Sequence, residues 1–283
     1  MFFLKNRVKM PSTRDWEPQP TREPTKGRLD VDKVVEIIKH SKIREQAIFL
    51  TMFQSLMDLE RFVQFNRKYA GPLVEHIKAG KFDEPFRIDY ASGRKRNKQA
   101  FHTFIHRDAL QAWKDYFERI RGYPKPAEPI ALEQYEHEVS KSSIRHAFIT
   151  VAEQLRIRPR RKGTRDISNR TGAAPHEAFR DVVRTMLRTR AKKDGFDLEV
   201  AEYWMGHRID KYNYDKFAEL EPEYDTEHAK IASKYLNVIS NSQAQETSEI
   251  AQLREEFAKL KGQFETAFKK QITNETGSDT RTC

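Results

Sequence analysis

Cysteine is all but absent. The 283-residue chain has one, Cys283, at its last position. A disulfide framework within the chain is thereby excluded, and so is a cysteine-built zinc site; the composition suits a reducing compartment. Glycine is scarce as well, at 11 residues, while charged side chains make up 33% of the chain, a balance that favours long helices over a sheet-rich fold. No apolar run is long enough to span a bilayer, and the Met1-Phe2-Phe3-Leu4 patch is too short for the core of a signal peptide. The expected setting is cytoplasmic, with no membrane partner.

What the chain has in excess is positive charge. Lysine and arginine number 52 against 42 acidic residues, a formal net charge of +10, which argues for a polyanionic partner. Residues 1–29 carry several prolines and many charges without an apolar period and are read as a flexible basic arm. From Asp30 the pattern turns helical, with Val34, Val35, Ile37 and Ile38 on one face; a second helix is expected from Ile43 to about Phe65. Pro85 to Tyr90 and Phe101 to Ile105 alternate apolar and polar residues. They enclose Gly93-Arg94-Lys95-Arg96-Asn97-Lys98, which together predicts a β-hairpin with a basic turn. Further helices are expected from Asp108 to about Ile120 and from Ser142 to Leu155, with a loop at Gly122-Tyr123-Pro124-Lys125-Pro126 between them. The fold class is therefore mainly α with a small β-hairpin.

Beyond Leu155 comes the densest basic cluster, in which Arg158, Arg160, Arg161, Lys162 and Arg165 form a candidate phosphate-gripping loop alongside Arg94 and Arg96 of the hairpin turn. Phe179, Val182, Val183, Met186 and Leu187 recur at helical spacing, so Arg180 stands on a helix with a buried face. Leu198, Val200, Ala201, Trp204 and Met205 form a second helix that Gly206 ends, leaving His207 just past a helix terminus. In the tail, Ile250, Leu253, Phe257, Leu260, Phe264 and Ala267 alternate steps of three and four, a heptad register compatible with a coiled coil, a short bundle or a helix docked on the domain. Residues from Asn274 on are expected to be disordered.

Within this frame, Arg180, His176, His207, a hairpin lysine and nearby tyrosines form a constellation suited to one chemistry. Cleaving a phosphodiester without a metal needs cationic donors on the non-bridging oxygens, an in-line nucleophile and an acid for the leaving oxygen. A tyrosine hydroxyl, with a free pKa of about 10, attacks only where cationic neighbours favour its phenolate. No metal-ligand spacing stands in the chain. His102 and His106, flanking a strand end, are read as surface residues with no carboxylate spaced to complete a metal site.

On these residues the chain resembles the catalytic domain of the tyrosine recombinases, the phage integrase family. Arg180 and Thr185 match a histidine-x-x-arginine helix with a threonine five residues on; Gly206-His207 matches the glycine-histidine that closes the next helix; a tyrosine follows. Lys95 or Lys98 occupies the hairpin turn where the family holds a catalytic lysine, and the stretch around Gln54 to Leu59 looks like the helix bearing the family's first arginine. The resemblance covers roughly residues 30 to 240. It implies a catalytic unit over that range, a C-terminal helix or coiled coil over 241–283, double-stranded DNA as partner, a homo-oligomer on DNA, and no cofactor. A prokaryotic host would place the protein with the nucleoid.

The chain departs from the family at definite positions. Asp58 stands where the first arginine is expected, with Arg61 one turn on, or Arg67, as a candidate substitute. His176 precedes Arg180 by four residues instead of three, and Arg190 to Asp194 looks like an inserted loop. The tyrosine usually follows the histidine by about nine residues, where this chain has Lys216; Tyr214 is the first candidate nucleophile and Tyr212 the alternative. Two readings follow: a recombinase working through a 3′-phosphotyrosyl intermediate, or a DNA-binding accessory of a mobile element whose chemistry is weakened at Asp58. Residues 1–29 are too short for the core-binding domain that precedes the catalytic one in typical integrases.

Overall fold

The first helix among the described residues, α1 (Val31–Lys39), starts where the sequence turns helical: the Asp30 carboxylate accepts the Lys33 amide at 2.9 Å, and Val34, Ile37 and Ile38 are buried on one face. The computed structural model describes residues 29–91, 100–133, 137–157, 179, 182, 183, 186, 191–196, 203, 204 and 217–276. The arm 1–28, the basic turn 92–99 and the basic loop 158–165 lie outside the described residues.

Helix α2 (Ile43–Ser55) is the central pillar. Every residue from Ala47 to Ser55 is buried, which is why this helix carries no one-sided apolar stripe. Two of its buried hydroxyls are paired: Ser55 donates to the Thr51 carbonyl at 2.6 Å, and the Thr51 hydroxyl accepts the Trp113 indole at 2.8 Å. The single helix expected from Ile43 to Phe65 is two helices. Leu56 takes a left-handed conformation (φ 56°), and Asp58, in extended backbone, caps α3 (Leu59–Lys68) by accepting the Arg61 amide at 2.9 Å. Apolar residues fall at helical spacing straight across this corner and hide it from periodicity. Helix α4 (Ala70–Lys78) follows; at its start Gly71 lies so close to the 122–126 loop that a Cβ there would press within 3.1 Å of the Pro126 Cβ.

Strands β1 (Phe86–Tyr90) and β2 (Phe101–Ile105) pair antiparallel, from Phe86 opposite Ile105 to Tyr90 opposite Phe101. The hairpin is the one expected, but β2 corrects the alternation read from its sequence, because all five of its residues are buried. One face lies on α2, where the Thr103 hydroxyl donates to the Ser55 carbonyl at 2.8 Å. The other face, with His102 and Phe104, is covered from the C-terminal half of the chain.

Helix α5 (Arg107–Tyr116) continues as a wider π turn through Arg121, stops at Gly122 (φ 81°), and packs extensively on α2. Helix α6 (Lys141–Gln154) begins at a Ser140 cap. Phe148 on α6 meets Phe49 and Phe179 edge-to-face, with centroids 5.7 and 5.4 Å away, and Phe53 closes the cluster at 6.0 Å from Phe179. Residues 191–194, expected as an inserted loop, form a 3-10 turn whose Asp194 accepts from both Lys234 and Tyr235. Helix α7 (Phe217–Ile231), extended by a π turn to Leu236, leads into α8 (Val238–Thr276), which is helical past the expected frayed point at Asn274. Among the described residues no helix is long and apolar enough to cross a membrane.

Candidate functional site

Of the residues expected to act on DNA, Arg61 is described. Tyr214, Tyr212, Arg180, His207, His176, Lys95 and Lys98 lie outside the described residues, as do Arg94, Arg96, Arg158, Arg160, Arg161, Lys162 and Arg165. Described residues near three of these stretches belong to the core: Phe179, Val182, Val183 and Met186 around Arg180, Tyr203 and Trp204 ahead of Gly206-His207, and Tyr90 and Phe101 on either side of the basic turn.

Arg61 lies at the root of that turn. Its guanidinium carbon is 4.9 Å from the Tyr90 ring centroid and 5.7 Å from that of Phe101, the last strand pair before the turn, and Nη1 donates to Gln64 at 2.9 Å. The Tyr90 hydroxyl donates to the Arg61 carbonyl at 3.1 Å; burial pushes this phenol far above its usual range, so Tyr90 is no nucleophile. Asp58, at the expected arginine position, is committed to capping α3.

The other face of β2 carries a polar chain that corrects the surface reading of His102 and His106, both of which are buried. The Tyr203 hydroxyl accepts the His102 amide at 3.3 Å and lies within hydrogen-bond distance of His102 Nδ1, 2.9 Å away. On its other side His102 Nε2 donates to the Asp225 carboxylate at 2.5 Å. Arg87 lies 3.6 Å from the other Asp225 oxygen and donates to Asp89 at 2.8 Å. A buried tyrosine is thus joined through a histidine to a surface cluster of two carboxylates and an arginine.

Four residues on from His102, His106 Nε2 meets His228 Nδ1 at 3.0 Å, and the Trp204 ring stands edge-on to His228 with centroids 3.7 Å apart. Burial lowers both imidazoles, His106 to about 3 and His228 well below its usual value, so this pair is neutral. His228 Nε2 and the Trp204 indole nitrogen are buried without a hydrogen-bond partner among the described residues. Among those residues no group of three or more histidine, cysteine or carboxylate side chains is arranged to hold a metal.

With Tyr203 and His102 buried, this assembly positions and does not attack. It clamps the helical turn at Tyr203-Trp204, the last described residues before Gly206-His207, onto the hairpin that bears the basic turn.

No protein-family model matches the chain, and no curated protein matches it. Among solved structures it is similar to XerA recombinase, at 14% identity over 80% of this chain and 71% of that one, with a TM-score of 0.47. This is a distant likeness of fold, and no residue role passes across it.

Asp225 and His228 escaped the sequence reading. A sequence signal does exist: they stand three apart on α7 and so share a face, as His102, Phe104 and His106 share a strand face by alternation. Nothing local says that these two faces meet across more than a hundred residues.

Proposed function

We propose that this chain is a DNA strand transferase of the tyrosine recombinase type, with residues 30–240 as its catalytic unit. The observation that carries the reading is the anchoring of three separate candidate-bearing stretches in one core. The hairpin root holds the turn with Lys95 and Lys98, Phe179 adjoins Arg180, and Tyr203-Trp204 lead to His207 while bonded to that same hairpin through His102. A net charge of +10 suits a DNA partner.

In this reading Tyr214, having given its hydroxyl proton to solvent under the influence of the neighbouring cations, attacks the scissile phosphorus as the phenolate, forming a 3′-phosphotyrosyl bond as the P–O5′ bond breaks. Lys95 or Lys98 gives its proton to the departing 5′ oxygen. Arg180, His176 and His207 hold the charge that builds on the non-bridging oxygens, with Arg61 as candidate for the missing first arginine. Attack by a 5′-hydroxyl of another strand reverses the step, so bond energy is conserved and no nucleotide triphosphate is consumed. Strand exchange between two duplexes requires several copies of the chain on DNA.

The test is covalent trapping on a nicked suicide duplex carrying the junction sequence of the element that encodes the chain. A denaturing gel would compare wild type with Tyr214→Phe and Tyr212→Phe. A protein–DNA band lost only in Tyr214→Phe is expected; loss only in Tyr212→Phe would move the nucleophile.

A second reading, an accessory DNA-binding protein of the same fold, is favoured by one observation. Asp58 is a helix cap and Arg61 stacks on two rings, so both residues at the vacant arginine position already have structural work. Salt-sensitive binding of the same duplex without any covalent band would establish it.

A further inference from the structure

Between Gln252 and Gln263 every residue of helix α8 is exposed. Its first turns are fastened to the body, where Asp108 accepts from Ile239 and Ser240 and where Ile239 and Val238 pack on the core. At 39 residues the helix runs about 58 Å, and beyond Thr247 it projects apolar side chains into solvent. Ile250 is 50% exposed, Leu253 63%, Phe257 71% and Leu260 63%. Among the described residues these are the exposed large apolar side chains of the helix, and in the sequence they fall on one heptad register: Ile250, Phe257 and Phe264 at a positions, Leu253, Leu260 and Ala267 at d positions.

What covers that seam can be read from its flanks. In this register the g positions are Glu249, Glu256 and Gln263, and the e positions are Arg254, Lys261 and Phe268. Every charged g residue is acidic and every charged e residue is basic. In a parallel pair, a g residue meets the e residue five positions on in the partner helix. Glu249 would then face Arg254 of a second copy, and Glu256 its Lys261, twice over by symmetry. In an antiparallel pair g meets g and e meets e, which would set Glu249 and Glu256 against glutamates and Arg254 and Lys261 against basic residues. The charge pattern therefore selects one orientation and one partner.

We propose that residues 250–267 of α8 form a parallel, in-register, two-stranded coiled coil with a second copy of this chain. The outer face agrees: Lys259 and Glu255, at c and f, pair with each other within one helix at 2.7 Å and leave the seam clear. The seam is short, but an isolated helix of this length would have to nucleate on its own, whereas this one is started by the folded domain. Leucine at the first two d positions, with isoleucine at the first a position, is a two-stranded pattern. The pairing is independent of which residue, if any, attacks DNA.

Sedimentation equilibrium of the full chain without DNA tests this. The expected mass is that of two chains. Glu256→Lys and Lys261→Glu should each weaken association about tenfold or more, since each turns two attractions into repulsions, and the double variant should restore it. Orientation is read from a disulfide. With Cys283 replaced by serine, Leu253→Cys should cross-link rapidly on oxidation, because d residues of a parallel in-register pair face each other. An antiparallel pair centred on the same seam would hold the two positions about 16 Å apart along the axis. A monomeric wild type, a dimer indifferent to both charge reversals, or a Leu253→Cys dimer that does not cross-link would each overturn the proposal.

Discussion

The imidazoles of His106 and His228 stack at a centroid distance of 4.7 Å, 18° from parallel, and share one hydrogen bond of 3.0 Å. Both are neutral in the fold because burial lowers their pKa, His106 to about 3. In the unfolded chain each titrates at about 6.5. The stability they contribute is therefore complete above that value and is lost as pH falls towards the folded pKa, at up to about 1.4 kcal/mol per pH unit for each histidine.

Urea unfolding at pH 7 and pH 5 should show this loss, and His228→Met should flatten it by about half. Asp108, whose carboxyl is raised by burial, contributes with the opposite sign. The comparison between variant and wild type, rather than the raw slope, isolates the histidine. An unchanged slope in His228→Met would remove the pair as the acid-sensitive element.

Asp108 caps a helix that begins 130 residues downstream. Its carboxylate accepts the Ile239 amide at 2.6 Å, the Ser240 amide at 3.1 Å and the Ser240 hydroxyl, so the positive end of the long α8 dipole rests on a buried charge. Asp108→Ala leaves these donors without a partner and should cost about 2–3 kcal/mol. Hydrogen exchange should localise the damage to the first turn of α8. Full protection there in the variant would mean that the helix is held by packing alone.

Legibility in the sequence followed the range of the interaction. The hairpin was readable because strand alternation in β1 and a basic turn are local, and α1 and α6 began within one residue of where their patterns start. The corner at Leu56 was not readable, since Phe53, Leu56, Leu59 and Phe62 keep a helical spacing through it. His102 and His106 were misread for the opposite reason: a lone strand shows which side chains share a face, not what arrives to cover them. Their partners come from Tyr203, Asp225 and His228, more than a hundred positions away. The motif order around Arg180, Gly206-His207 and Tyr214 is a reading of the sequence alone, since these residues lie outside the described ones, and the network around His102 and His228 had no local signal.

Arg61 offers a sharp separation of structure from chemistry. Its ring contacts at the hairpin root are part-exposed, so Arg61→Met should cost about 0.5–1 kcal/mol of stability. Loss of a cation from a phosphate clamp costs far more, on the order of a hundredfold in rate. On the proposed function, the rate of phosphotyrosyl formation in Arg61→Met should fall by about that factor while the protein stays folded. A rate within a few-fold of wild type would assign Arg61 to packing and leave the first-arginine position vacant.

Leu56 and Arg156 share a left-handed backbone, both at φ 56°, and should respond oppositely to glycine. Arg156 follows the C-cap of α6, is exposed, and donates its amide to the Glu153 carbonyl at 3.1 Å, a place where glycine relieves backbone strain without losing a contact. Arg156→Gly should raise stability by about 0.5–1 kcal/mol. Leu56 ends α2 in the same conformation but is buried in the core, so Leu56→Gly gains the same relief and forfeits about 2–3 kcal/mol of apolar burial. Its net effect should be destabilising. Paired urea titrations decide the matter, since backbone strain alone predicts two stabilised variants, whereas strain weighed against burial predicts one of each sign.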